Sequence, residues 1–421
     1  MRFPGVCLRF VANALRPNKF MESAVIDTLF LIAAKWPPEY GGPGLYYKRH
    51  IRHLEKIARH VRIVAWSRGG VIDLGDASPN ASAIAMKSPR GRLAAHVAGL
   101  RLAARLLWET RSAGSRCAIL FTGGSVNIGW RATAMVLSVL GIPTVVENVL
   151  FGADDGPTLG QARWQFLTRI AVSRVRAFCP VSNGLVESLR SVFPAASVVH
   201  LPYGVDLGAN TITSEESRLT ERLLLGCSPD GLVAVSFGTV HARKGQLDLV
   251  DAWLKWVEVG KRFEARLFIV GPQHDPAYLE RIEQRIAEAE QLVGSTVVLT
   301  GFSADVRRYL RAADVYMTAA IAEGLPISIV ESLAHGVPVI CRWLDGVTDD
   351  FMHGRAVTAV MNWSAEAVSA ALDTLADGEA WRRASHDARA VAEDRFDIDK
   401  RLRIVERLLT DKTFESCPSC A

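Results

Sequence analysis

Residues 322–333 read Ala-Glu-Gly-Leu-Pro-Ile-Ser-Ile-Val-Glu-Ser-Leu. Pro326 fixes its own φ and disfavours helix in the residue before it, so Glu323-Gly324-Leu325 is a loop and a helix opens at Pro326 or Ile327. Gly336 and Pro338 close that helix. Short apolar strands flank it, Val315–Met317 before and Val337–Ile340 after. Strand, glycine-bearing loop, helix and strand form the repeating unit of a parallel sheet. The run also carries two carboxylates with seven residues between them, Glu323 in the loop and Glu331 in the helix. Burying an unpaired carboxylate is costly. The pair therefore reads either as a grip on a ligand above the helix N-terminus or as a solvated helix start whose glutamates suit the macrodipole.

The same alternation extends outward along the chain. In the first half, apolar runs at Ile26–Ala33, Ile63–Trp66, Ala118–Phe121, Thr144–Val146 and Ala177–Pro180 read as strands with helical patterns between them. In the second half, Val233–Ser236, Arg266–Val270 and Val297–Leu299 join the two strands already named. A turn-rich run, Pro202-Tyr203-Gly204-Val205-Asp206, separates the halves, and Ala365–Leu409 is almost wholly helical. With 421 residues the chain holds two domains, each a doubly wound Rossmann-like unit. Ligands of such sheets bind beyond the carboxyl ends of the strands, so two domains face to face make one cleft lined by post-strand loops.

Charge is unevenly shared. Residues 1–206 hold 25 Lys and Arg against 12 Asp and Glu, net +13, while the remainder is net −8. Many of the cations (Lys48, Arg49, Arg52, Lys56, Arg59, Arg62, Arg90, Arg92, Arg101, Arg105 and Arg111) fall in patterns that read as helical. Such a half suits an anionic membrane surface or anionic acceptor as well as a plain solvated face, and no nucleic-acid motif accompanies it. Seven scattered cysteines fit a reducing cytoplasm, and the Cys417–Cys420 pair reads as an incidental tail, since one CxxC supplies only two metal ligands. No run is long enough to span a bilayer. Residues 1–20 read as an interfacial extension or as the product of an upstream start, with Met21 the alternative initiator, rather than as a signal peptide.

Three post-strand loops can carry chemistry. Pro37 to Gly44 places glycines before a helix, where backbone amides can approach a phosphate or sugar, although a tight turn explains them equally. Phe237 to Gly245 sets Arg243 and Lys244 before a helix starting near Gln246, an arrangement suited to a diphosphate. The Glu323 loop is the third.

Together these stretches resemble the group 1, retaining nucleotide-sugar glycosyltransferases of the two-Rossmann-domain GT-B fold. The resemblance runs from about residue 25 to 410, through Gly41–Gly44, Gly204-Val205-Asp206, Gly238 to Lys244-Gly245, Gly301-Phe302 and Asp314-Val315. It is most specific from Glu323-Gly-Leu-Pro through Glu331-Ser-Leu-Ala-His-Gly-Val-Pro-Val. It implies an extension at 1–24, an acceptor domain at 25–203, a donor domain at 204–390, a helix at 391–412 packing back on the first domain, and a tail at 413–421. It implies that Arg243 and Lys244 hold the donor diphosphate, that Glu323 contacts the transferred sugar beside the amides of Gly324 and Leu325, and that Glu331 accepts from the ribose. Gly42 and Gly238 would lie close to the phosphates. Three departures stand out: Thr239 where the family often has Arg, Tyr203 in place of a linker asparagine, and Glu147-Asn148 where many members place a histidine. Asp154 and Asp155 are candidates for the acceptor side or an acidic surface loop. The implied activity is retaining transfer to a glycan or lipid-linked acceptor, without metal or cofactor, by a peripheral enzyme on the cytoplasmic face of a membrane. An epimerase or a non-catalytic sugar-binding protein of the same fold is the alternative.

Overall fold

A computed structural model describes residues 26–39, 42–75, 77, 79–89, 92–112, 117–122, 130–161, 165–211 and 214–411. The expected extension at 1–24, the 413–421 tail with its Cys417 and Cys420, and Gly41 lie outside them. Two six-stranded parallel sheets dominate. The first contains β1 (Ile26–Ala33), β2 (Ala58–Ser67), β3 (Ala81–Lys87), β4 (Cys117–Thr122), β5 (Thr144–Asn148) and β6 (Ala177–Pro180), ordered β3-β2-β1-β4-β5-β6. The second contains β7 (Val233–Phe237), β8 (Arg266–Val270), β9 (Val297–Gly301), β10 (Val315–Thr318), β11 (Val339–Arg342) and β12 (Val357–Val360), ordered β12-β11-β10-β7-β8-β9. Each sheet has the doubly wound order in which the chain reverses direction beside its first strand, and that reversal opens a crevice at the carboxyl ends. The fold is GT-B.

The central strands are mostly apolar because helices cover both faces. β1, Ile-Asp-Thr-Leu-Phe-Leu-Ile-Ala, is buried almost end to end. β3 and β12 are edge strands, and neither is evident from the sequence. The Ala-Ser-Ala-Ile-Ala-Met-Lys of β3 is half exposed and rich in weak strand formers. The strand expected at Val337–Ile340 begins two residues later, since Val337 still belongs to the turn after Gly336. The basic run after Lys48 is not one helix. Helices Gly42–Arg49 and Ile51–Leu54 are followed directly by β2, which places Arg59 and Arg62 on a strand.

Helices Arg92–Ser112, Trp130–Ser138, Gln165–Val172 and Asn183–Val192 cover one face of the first sheet, packing Leu102, Leu106, Trp130, Leu137 and Leu189 onto Phe30, Ile32 and Val64. The opposite face receives Gly42–Arg49, Ile51–Leu54 and the last helix, Ile398–Thr410, in a core that continues into the second domain through Val235, Tyr316 and Val330. After Asp206 the chain builds the second sheet and then returns: Val205 N–H donates to Phe396 O and Ile398 N–H to Val205 O. The last helix thus lies on the first domain, where Arg401 pairs with Glu147 at the end of β5. The four described cysteines, Cys117, Cys179, Cys227 and Cys341, are buried free thiols. Among the described residues no helix is long and apolar enough to cross a membrane.

Candidate active site

The carboxyl ends of β7 and β10 carry the two loops singled out by their charge. Behind β7, Gly238 leads to a short 3-10 turn at Ala242–Lys244, whose first amides are capped by His241 as its Nδ1 accepts from Arg243 N–H at 3.2 Å. Behind β10, the chain runs through Glu323 to helix Ile327–Ala334, which opens after Pro326 as expected. The loops converge. Lys244 Nζ lies 2.6 Å and Arg243 Nη1 3.1 Å from Glu323 Oε1, close enough for ion pairing though out of line for directed hydrogen bonds. Arg243 also donates to Ala322 O, and its own carbonyl accepts from Ile321 N–H at 2.9 Å. Gly238 sits beneath the ammonium, since a Cβ there would stand 3.6 Å from Lys244 Nζ.

The first domain closes over this cluster. Gly324 backs onto Val149 O, only 1.7 Å from where a Cβ would be, so any side chain at 324 would drive the domains apart. That carbonyl belongs to a loop fixed by the two aspartates considered for the acceptor side. Asp154 accepts from Val149 N–H at 3.0 Å and Leu150 N–H at 2.8 Å, while Asp155 caps the next helix through Thr158 N–H and accepts from Gly152 N–H. Their carboxylates are occupied by backbone amides, and Asp154 is fully buried. They shape the loop against the donor side rather than face the cleft as open acids. Among the described residues the amides of Gly324 and Leu325 donate to no partner, and they sit at the mouth of the helix N-terminus.

Glu331 lies one turn into that helix and is largely buried. Burial raises its carboxyl above the ordinary range, opposed chiefly by Arg49 and Arg307. Arg49 Nη1 donates to Glu331 Oε1 at 2.8 Å from across the cleft. Sequence reasoning saw Arg49 only as part of a basic stretch; its place in the last turn of the helix behind the glycine loop was the available signal. In that loop Gly42 opens the helix with open space around it, whereas a Cβ on Gly44 would meet Lys35 O at 2.1 Å. Gly44 is therefore the residue whose lack of a side chain the packing requires. Beside Arg49 a cavity of about 730 Å³ separates Pro37, Pro38 and Arg52 from Phe302 and Ser303 of the post-β9 loop, within the size range of small-ligand sites.

Residues 231–377 match the family model of glycosyl transferases group 1. That stretch contains Arg243, Lys244, Glu323 and Glu331, the residues the geometry gathers. It is the second domain that matches the group 1 glycosyltransferases. A GDP-mannose-dependent alpha-(1-6)-phosphatidylinositol monomannoside mannosyltransferase from Mycolicibacterium smegmatis is 30% identical over 232 residues, covering 51% of this chain and 58% of the relative. A D-inositol 3-phosphate glycosyltransferase from Jonesia denitrificans is 28% identical over 156 residues, covering 36% and 37%. The chain thus spans between about two fifths and three fifths of the length of these curated relatives. Among solved structures, HepE from Anabaena in complex with UDP and glucose aligns over 91% of this chain and all of its own, with TM-score 0.68 and 17% identity, a likeness of fold. The group 1 match falls on the second domain and leaves the first, where Arg49 resides, to be read from its geometry.

Proposed function

We propose that this protein is a group 1 glycosyltransferase that moves a sugar from a nucleoside-diphosphate sugar to a glycan or lipid-linked acceptor, with retention at the anomeric carbon. One observation carries the reading: Arg243 and Lys244 converge on Glu323 at the N-terminus of helix Ile327–Ala334, facing the first domain across a closed cleft. Two cations, two undonated amides and a helix N-terminus suit a diphosphate, whose charge grows as the sugar bond breaks. Arg243 and Lys244 stabilise that charge, and phosphate binding leans more on Arg243 because Thr239 supplies no charge. Glu323 turns its carboxylate from the cations toward the sugar hydroxyls once phosphate takes its place. Glu331 accepts from the ribose, and Phe302 lies where the base would rest. The leaving diphosphate takes the acceptor proton, so the protein's part is alignment and exclusion of water.

The relatives named above, with their phosphorylated inositol and phosphatidylinositol acceptors, support an acceptor that is itself anionic or lipid-linked. A peripheral position on the cytoplasmic face of a membrane belongs to the same reading. A screen by thermal shift against UDP, GDP, ADP and their sugar conjugates tests the donor class, because a ligand that binds only the folded state raises its stability. NMR of the product anomer then tests retention. No shift with any diphosphate, or an inverted product, overturns the corresponding half of the proposal.

A further inference from the structure

The first cations of the basic run, Lys48 to Arg62, are mostly paired within the protein, whereas Arg101, Arg105 and Arg111 are exposed on another face. Arg49 and Arg52 line the cleft, and Arg59 pairs with Asp27 beside the sheet. A different face of the same domain has the composition of a lipid interface. We propose that the outer side of the three neighbouring helices Arg92–Ser112, Trp130–Ser138 and Gln165–Val172 docks on an anionic lipid bilayer.

The longest of the three shows the pattern most clearly. Ala98, Leu102 and Leu106 face the sheet, and Val97, Leu100, Ala104 and Trp108 face outward at helical spacing, with Arg101, Arg105 and Arg111 on the same exposed side. Trp108 is 71% exposed and Phe166, on the third helix, 74%. Val136, Val139 and Leu140 continue the surface on and just beyond the second helix. Single exposed apolar residues are ordinary, but a surface spread over three packed helices marks an interaction site.

Charge chooses the occupant. The three helices carry one carboxylate, Glu109, which is buried and paired with Arg62 and Arg105. Every other ionised side chain on them is an arginine: Arg92, Arg101, Arg105, Arg111, Arg131 and Arg169. A surface of tryptophan, phenylalanine, aliphatic residues and arginine, without exposed acidic groups, matches the headgroup layer of an anionic membrane. There apolar side chains enter the acyl boundary and guanidinium groups reach the phosphates. A second copy of the same face would set like charges together. Residues 1–25, with Arg2, Arg9, Arg16 and Lys19 against Glu22, would not neutralise it either. The surface deepens the membrane partner of the proposed function. It rests on that reading for its purpose, presenting a lipid-linked acceptor to the cleft, and not for its binding.

The test is flotation of the full chain with phosphatidylcholine vesicles, with and without about 30% phosphatidylglycerol, at low and high salt. Binding to the anionic vesicles that salt weakens is expected. Trp108→Ser with Phe166→Ser, and separately Arg101→Glu with Arg111→Glu, should each weaken it at least about tenfold while the melting temperature and any nucleotide-induced shift stay unchanged. Absence of vesicle binding by the parent chain overturns the proposal. Variants that bind like the parent, or loss of binding on Arg52→Glu instead, also overturn it. Light scattering that finds a dimer which Trp108→Ser with Phe166→Ser splits would assign the face to a second copy and overturn it too. Nucleotide binding is read in the same preparations, so failure of the vesicle result and failure of the transferase reading are separate outcomes.

Discussion

Two of the ion pairs that join distant parts of the chain, across sequence separations of more than 250 residues, are built in opposite ways. Arg401 and Glu147 are sealed, with side chains 3% and 0% exposed. Tyr46, Tyr47 and Tyr203 ring the guanidinium, with their centroids 5.8, 6.0 and 5.5 Å away. Tyr47 O–H and Arg401 Nη2 both donate to Glu147 Oε1. Arg49 and Glu331 meet at the cleft, with side chains 36% and 16% exposed. A sealed pair holds one geometry because separating it strands a charge in low dielectric. A pair in contact with water can trade partners at small cost. The first therefore fixes the last helix to the first domain, and the second is a contact that an incoming ribose can enter. The departures Tyr203 and Glu147 noted in the sequence are both parts of the sealed pair.

The largest expected effect tests that contrast. Arg401→Ala should lower stability by about 3–5 kcal/mol, as removal of one partner of a buried pair does, whereas Arg49→Ala should cost about 1 kcal/mol or less. Urea unfolding of both variants measures this. Equal losses would mean that the two pairs do the same job. Arg401→Met with Glu147→Leu, which replaces the pair with apolar volume, should recover much of the loss.

Next come the groups of the proposed transfer site. Lys244→Ala should reduce turnover by about 100-fold if its ammonium neutralises the leaving diphosphate. A rate within a factor of a few of the parent would place the ammonium outside the reaction. Glu331→Ala should weaken nucleotide diphosphate binding by about tenfold or more, the worth of hydrogen bonds to a charged acceptor, as read by calorimetry. Unchanged affinity removes the ribose role. Arg49→Ala should act through the same carboxylate: without the guanidinium, burial holds its proton to higher pH, and nucleotide affinity should fall as pH is lowered. Arg307, Tyr316 and His335 also surround Glu331, so the fall should be partial. An affinity as flat with pH as the parent's would make the cleft pair a bystander.

What the sequence disclosed, and what it withheld, follows from range. Strands such as Ile26–Ala33 and Arg266–Val270 announce themselves because both faces are buried and most residues are apolar. β3 does not, because an edge strand needs few apolar residues. The approach of Arg243 and Lys244 to Glu323 was legible as loops at neighbouring strand ends, since the doubly wound order puts β7 beside β10. Arg49 with Glu331, and Arg401 with Glu147, were not legible, because each depends on how one domain sits on the other. The exposed helix face was hidden for a different reason: amphipathic spacing tells which residues are apolar but not which side of a helix remains uncovered.

A third interdomain contact yields the smallest and most specific effect. Asp350, beside the second sheet, accepts from Asn183 N–H at 3.0 Å and from Asn183 Nδ2 at 2.6 Å, at the start of helix Asn183–Val192 in the first domain. Burial raises its carboxyl from 3.8 to about 7, and burial lowers His200, whose Nε2 lies 3.4 Å from Asp350 Oδ1, to about 4. Between about pH 4 and 7 both groups are therefore mostly uncharged in the fold, and a protonated Asp350 can donate to the imidazole. Above its ordinary pKa the unfolded carboxyl ionises freely while the folded one resists. The contribution of Asp350 to stability thus falls as pH rises from about 4 and levels off above about 7, with roughly 1 kcal/mol lost between pH 6 and 8, while the lowered His200 works in the opposite sense up to its ordinary value of 6.5. Asp350→Asn cannot ionise and should flatten that part of the profile, even if loss of an acceptor lowers it throughout. Thermal melts of parent and variant at pH 5, 6 and 8 decide the matter. Parallel curves would mean that Asp350 stays ionised on Asn183 and that this contact resembles the exchangeable pair rather than the sealed one.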